Sequence, residues 1–254
     1  MPSILTYHKI GRQFEIGISS ISGERFRGQL ELLLGLRRPW SRASDAVLEA
    51  ASDGDPIVIT FDDGYESVYT EAFPVMSERG ISGTVFPVVG AIGGYNAWDV
   101  RLSVKRFRHL SWPQIEELAR YGFEIGSHTL SHRGLTLLGR ERLAAEMGDS
   151  RKRLEDRLGR GVTAIAYPFG MVNERVVDAA EEAGYKCGFA SSPAMGLGKH
   201  DGTGRMNVGR MSIHVMDSNS SLLRKAGARP GYRLEAAENT VIAWLSRCAT
   251  LVKR

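Results

Sequence analysis

The sequence predicts an α/β protein, a closed (β/α) barrel of about seven parallel strands, with a doubly wound open sheet as the competing arrangement. Three observations carry that expectation. Seven short apolar or β-branched runs occur along the chain: "SILTY", "PIVITF", "GTVFPVV", "FEIGSH", "AIAYPF", "KCGFAS" and "RMSIHV". Stretches with helical periodicity lie between several of them, and such alternation argues for parallel strands joined by crossover helices. The chain has 254 residues, 43% of them hydrophobic, which suits one barrel-type domain over 1–254 better than two small ones.

The helical stretches can be justified one by one. "ESVYTEAFPVMSERG" contains Pro74, whose fixed φ and missing N–H predict a kink or a late helix start. "SWPQIEELARYG" opens at Ser111, an N-cap residue, and closes at Gly122. In "RERLAAEMGDSRKRLEDRLG", Leu143, Met147, Leu154 and Leu158 recur at helical spacing and Gly159 ends the pattern. Its bases alternate with acids, so the charged positions read as a solvated face. "VNERVVDAAEEAG" stops in the same way at Gly184, and "EAAENTVIAWLSRCATLV" supplies a last helix. The Gly-rich "SSPAMGLGKHDGTGRMNVG" reads as a loop within the domain.

Composition excludes several classes. The net charge is +4 and charged residues make up 24%, but no stripe of bases interleaved with aromatics occurs, so nucleic acid is not an expected partner. Cys187 and Cys248 lie far apart without a CxxC spacing and read as reduced, buried thiols. The opening "MPSILTYHKIG" lacks a basic and apolar leader, and no apolar run reaches the roughly 18 residues of a membrane span. A cytoplasmic location is therefore expected, with export of a longer precursor left open.

In parallel α/β folds ligands gather at the carboxyl ends of strands. Here those ends carry His8, the pair Asp62-Asp63 followed by Gly64, His128, and "YPFG". Two adjacent carboxylates repel and resist desolvation unless a positive charge offsets them. His128 and His132 stand four apart, and a helical turn would project both rings from one face. A carboxylate with two imidazoles suits zinc and similar first-row metals and leaves coordination positions open.

"TFDDG", "SHTLSH" and "YPFG", in that order, resemble the first three motifs of the NodB-homology polysaccharide deacetylases, the fourth carbohydrate-esterase family. The resemblance runs from about residue 3 to about residue 215 and implies a distorted (β/α) barrel. It further implies a metal-dependent hydrolase that removes acetyl from an N-acetylated sugar, oligosaccharide or polysaccharide precursor. Carried over residue by residue, Asp63, His128 and His132 match the ligands of a divalent metal, zinc first, with cobalt, nickel or iron as alternatives. Asp62 matches the base that deprotonates a metal-bound water, and the backbone N–H of Phe169 matches an oxyanion donor.

The chain also departs from the family pattern. The third motif commonly begins with an Arg that pairs with the base; Ala166 stands there, and Arg210 in "VGRM" is the candidate replacement. The usual late Leu-x-His has its nearest counterpart in "SIH", which nominates His214 as general acid. Tyr167, Phe169 and His8 are expected to line the substrate pocket. Trp98 and Asp99 in "YNAWDV" join them, since an indole stacks on a sugar face while a carboxylate bonds its hydroxyls. Two other functions compete: hydrolysis of a cyclic amide or ureido bond on the same fold, and a non-catalytic carbohydrate-binding role.

Overall fold

Strand β1 (Ser3–Tyr7) is followed by β2 (Lys9–Ile10), β3 (Ser20–Ile21), α1 (Gly23–Leu34), α2 (Ala43–Leu48) and β4 (Ile57–Asp63). A π-helical turn over Val68–Ala72 leads into α3 (Phe73–Ser77), then β5 (Thr84–Pro87), α4 (Trp112–Arg120), β6 (Glu124–Ile125) and α5 (Arg140–Leu158). The remainder is β7 (Ala164–Ala166), α6 (Glu174–Glu182), β8 (Cys187–Ala190), β9 (Val208–Gly209), β10 (Met211–Ser212) and α7 (Asn219–Lys225). The structure, a computed structural model, describes residues 2–11, 19–49, 54–96, 106–191, 204–227, 235 and 237–241.

Pairing follows the order β10-β1-β4-β5-β6 in one sheet and β7-β8-β9 in another, and these pairs are parallel. A bridge between Ser127 and Ile165 joins β6's exit to β7. At the other end only Arg210 separates β9 from β10. The circuit of seven parallel strand positions, broken at these two joints, is consistent with the distorted barrel expected from the sequence. β2 and β3 form a separate two-stranded pair that the sequence did not suggest.

All seven residues of β4 are buried, which explains why "IVITF" reads as an unbroken apolar run. Alternation then sorts its side chains. Ile57, Ile59 and Phe61 join the large outer core with α1, α4 and α5 residues, while Val58 packs with Ile4, Phe86, Ala166 and Phe189 in a smaller inner cluster. Thr60 shares the inner face, since its hydroxyl donates to Thr6 Oγ1 (3.0 Å) across to β1. Two residues on, the same face receives Asp62.

Helix ends follow local chemistry. Pro74 occupies the first turn of α3, where its missing N–H is harmless. Ser111 and Gln114 form a capping box on α4. Gly159 ends α5 in the left-handed conformation at φ 64°. Leu143, Met147 and Leu154 of α5 are buried as their spacing predicts, but so are Glu146 and Ser150. Cys187 is a buried thiol, whose pKa burial pushes up; Cys248 and most of the last expected helix lie outside the described residues. Among the described residues no helix is long and apolar enough to cross a membrane.

Candidate active site

At the end of β4 the chain turns sharply. Asp63 and Gly64 take left-handed φ values of 66° and 71°. A Cβ on Gly64 would stand 2.7 Å from Pro87 Cβ, so the glycine answers both strain and space. Asp63 is not a glycine, and its conformation is disfavoured by about 1–3 kcal/mol. Its carbonyl is held from two sides: Val88 N–H donates to it (3.2 Å), and His109 Nδ1 lies 3.0 Å away. A carbonyl only accepts, so His109 carries the proton on Nδ1.

His128 and His132 are not on a helical turn, which corrects the expectation drawn from their spacing. Thr129 and His132 adopt φ of 66° and 56°, and this doubly kinked loop sets the ring centroids 4.9 Å apart. Asp63 Oδ1 lies 3.2 Å from His132 Nε2 and 3.6 Å from His128 Nε2. The three candidate ligand atoms fall within 4.8 Å of one another.

These residues fit a divalent cation on the structure's own terms. Asp63 Oδ1 is buried and accepts no well-formed hydrogen bond among the described residues, a costly state unless something positive approaches it. His128 Nδ1–H donates to the Ala166 carbonyl (2.8 Å), which leaves Nε2 as the lone-pair nitrogen aimed at Asp63. Burial would raise the Asp63 carboxyl, but the adjacent imidazoles, His132 foremost and then His8 and His128, hold it well below the usual range. Burial also lowers His128 to about 4, so the ring is neutral near pH 7, as a ligand must be.

Asp62, one residue earlier, faces the barrel interior and meets Arg210. The guanidinium donates through both terminal nitrogens, at 2.8 Å to Oδ1 and 2.7 Å to Oδ2, and also to Thr60 Oγ1 at 3.1 Å. Arg210 is fully buried, with the Phe86 and Phe189 rings 5.3 and 5.9 Å away. Burial alone would raise the Asp62 carboxyl; Arg210, by charge and hydrogen bonding, outweighs it together with His128 and His8 and leaves it lowered. The arginine that the third motif lacks at Ala166 thus comes from the joint between β9 and β10.

Register lines up the rest of the rim. Tyr7 pairs with Phe61 and Thr6 with Ser212, so His8 continues β1 between the ends of β4 and β10, beside Asp62 and His214. Its charge acts on Asp62, Asp63 and His214. His214 is buried, and its backbone N–H donates to Asp217 Oδ2 (2.7 Å). Lys225, itself fully buried, donates to both oxygens of that carboxylate at 2.7 Å. Burial and Lys225 together lower His214 to about 4 against the pull of Asp217, so its imidazole is uncharged at neutral pH.

Phe169, at φ 56°, sets its ring edge-on to His132 at 4.5 Å. Tyr167 requires correction as a substrate residue. Its ring is buried in the core and its hydroxyl donates to the Met206 carbonyl (2.8 Å), leaving nothing for a sugar to touch. Trp98 and Asp99 lie outside the described residues. Sequence reasoning missed His109 and Glu146. The first is a lone imidazole in "RHL" without a spaced partner. The second is one acid among many in α5, yet its carboxylate accepts from Leu130 N (3.0 Å) and Ser131 N (2.8 Å).

A family model described as polysaccharide deacetylase matches residues 49–188. The chain belongs to the polysaccharide deacetylase family. Asp62, Asp63, His128, His132 and the "YPFG" segment fall inside the matched stretch, while His8, Arg210 and His214 fall outside it. Among relatives, YxkH of Bacillus subtilis is 30% identical over 194 residues, 75% of this chain and 64% of the relative. A poly-β-1,6-N-acetyl-D-glucosamine N-deacetylase of Staphylococcus aureus is 26% identical over 141 residues, 52% of this chain and 46% of the relative. The chain therefore spans about two thirds or less of the curated relatives it matches. IcaB from Ammonifex degensii superposes with a TM-score of 0.71 at 26% identity, covering 88% of this chain and 95% of that one. The Streptococcus pyogenes deacetylase PplD, at 21% identity and a TM-score of 0.72 over 89% and 97% of the two chains, shares the fold.

Proposed function

We propose that this polysaccharide deacetylase is a metal-dependent hydrolase that removes N-acetyl groups from an N-acetylated glycan or glycan precursor. The observation that carries the reading is the convergence of Asp63, His128 and His132 within 4.8 Å beside a second carboxylate, Asp62, kept ionised by Arg210. Asp63 Oδ1 and the two Nε2 atoms would hold the cation, and two imidazoles with one carboxylate favour zinc or a similar first-row ion. When bound, such an ion polarises a carbonyl oxygen and lowers the pKa of coordinated water toward about 7.

This chain's own residues supply the remaining chemistry. Asp62 takes a proton from the attacking water at its carboxylate, and the Arg210 fork fixes the plane of that carboxylate. The Phe169 N–H donates to the oxygen on which negative charge develops. His214, neutral in the resting protein, takes a proton from solvent as that charge grows and passes it to the departing amine as the C–N bond breaks, while Asp62 returns the water's proton to solvent. The products are acetate and the free amino sugar. Similarity to the Staphylococcus aureus N-deacetylase supports a β-linked N-acetylglucosamine polymer as the substrate class.

The test is acetate release by metal-loaded protein from N-acetylglucosamine oligomers of β-1,6 and β-1,4 linkage, with allantoin-like cyclic amides run alongside. Release of acetate from an oligomer is the expected result. Turnover of the cyclic amides alone would move the chain to another C–N hydrolase reaction, and no turnover of either class would contradict the reading.

A further inference from the structure

We propose that Glu146 is a positioning residue for the metal centre: its carboxylate, presented by α5, holds the 129–132 turn so that His128 and His132 face a single ion. This role rests on reading Asp63, His128 and His132 as metal ligands, and adds a residue from outside the three motifs.

The turn has two weaknesses that need an external partner. Thr129 and His132 are both left-handed, so the segment between them builds no ladder of its own, and Leu130 N and Ser131 N point away from the chain as adjacent donors. Glu146 Oε2 accepts both, at 3.0 and 2.8 Å, and the Ser131 hydroxyl donates to Oε1. Successive amide donors form a concavity that suits an anion, and a charged acceptor strengthens each bond. The carbonyls of the same turn are tied on the other side: Val89 N donates to Thr129 O (3.0 Å) and Gly90 N to Leu130 O (2.8 Å). A Cβ on Gly90 would lie 2.5 Å from Leu130 O, so that approach requires glycine. One side of the turn is thus fixed by the exit of β5 and the other by a single carboxylate.

The burial of Glu146 makes the assignment specific. It is 7% exposed on a helix whose other acids, such as Glu141, Asp149 and Asp156, are exposed or half-exposed. Among the described residues it meets these three donors and no cation. A carboxylate is costly to bury, and here its charge is met entirely by the loop between two candidate ligands. Without it, only the carbonyl side of the turn stays tied, two strained residues are free to relax on the amide side, and the imidazoles lose their common aim.

Wild type, Glu146→Gln and Glu146→Ala are stripped of metal and titrated with Co2+, with the visible absorption of the bound ion and a chelator competition giving geometry and Kd. Supporting groups around a metal site typically govern about 10- to 100-fold in affinity. Glu146→Ala is expected to raise Kd by that factor and to alter the Co2+ spectrum, while the metal-free variant keeps a native near-ultraviolet circular dichroism signal. Glu146→Gln, which retains an acceptor oxygen without the charge, falls between, and carries the comparison if the alanine variant does not fold. Glu155→Gln, on the same helix but bound to Val162 N and Arg151, keeps the wild-type Kd. Unchanged Kd in the folded Glu146 variants, with or without a loss of thermal stability, overturns the positioning role. A wild-type protein that binds no Co2+ overturns the metal reading instead.

Discussion

Helix α6 and the rim above β4 are built on opposite terms. In α6 each residue does what its own chemistry prefers: Asn173 caps the first turn through Val176 N, Val176, Val177 and Ala180 face the core, and Gly184 ends the run at φ 97°. At the rim, Asp63, Thr129, His132 and Phe169 account for four of the five non-glycine residues with left-handed backbone among the described residues. Each is disfavoured locally and is kept there by partners from other elements. The contrast teaches that strain in this molecule is concentrated where the candidate ligand atoms converge, and that the regular layer supplies the stability that tolerates it.

The sharpest way to break the rim is to remove its charge pattern without changing its shape. Asp62→Asn should lower kcat by about 10²- to 10⁴-fold while the metal stoichiometry is unchanged; activity assays paired with elemental analysis read both. Unaltered kcat would remove Asp62 from the reaction. Next in size is Arg210→Met, which leaves a buried carboxylate unpaired. It should reduce unfolding stability by about 3–5 kcal/mol in denaturant titrations and lower kcat as well, since Asp62 loses its fork. A loss within about 0.5 kcal/mol would mean that the pair is not formed.

Protons probe the same rim more gently. In the metal-free protein His128 and His214 are each lowered to about 4, against about 6.5 in an unfolded chain. Between those values the unfolded state binds protons that the folded state does not, so stability is fully present above pH 6.5 and falls as pH drops toward 4. The slope is about 1.4 kcal/mol per pH unit for each ring. Asp62 and Asp63, whose folded carboxyls are lowered, act in the same direction but below about pH 4. His214→Gln should remove one ring's share of the slope, and an identical pH profile would show that His214 titrates normally. The smallest effect belongs to the regular layer. Asn173→Ala should cost about 1 kcal/mol and leave kcat and metal affinity alone; a large fall in activity would mean that the two regions are not separable.

What could be read from the sequence divides along the same line. The caps, the helix ends and the apolar run of β4 were legible because local chemistry decides them, and the candidate triad because its motif residues cluster at strand ends. Arg210 could be nominated only because Ala166 left the base without a partner. Its bidentate bond depends on a joint between β9 and β10 that no local pattern marks. Tyr167 was misassigned because the left-handed turn at Phe169 breaks the alternation that would put residues two apart on one face, so closeness to Phe169 said nothing of its direction. The HxxxH spacing suggested a helical turn, and the carbonyl and amide clamps from Val89, Gly90 and Glu146 selected a kinked one. Glu146 and His109 act through backbone atoms of other segments, a relation that one-dimensional spacing cannot display.

The central claim is that Asp63, His128 and His132 grip one divalent cation. Calorimetric titration of metal-free wild type and His132→Ala with Zn2+ tests it most directly. One equivalent bound by the wild type, with affinity reduced at least about 100-fold in the variant, is the expected result; equal affinity in the two proteins would contradict it.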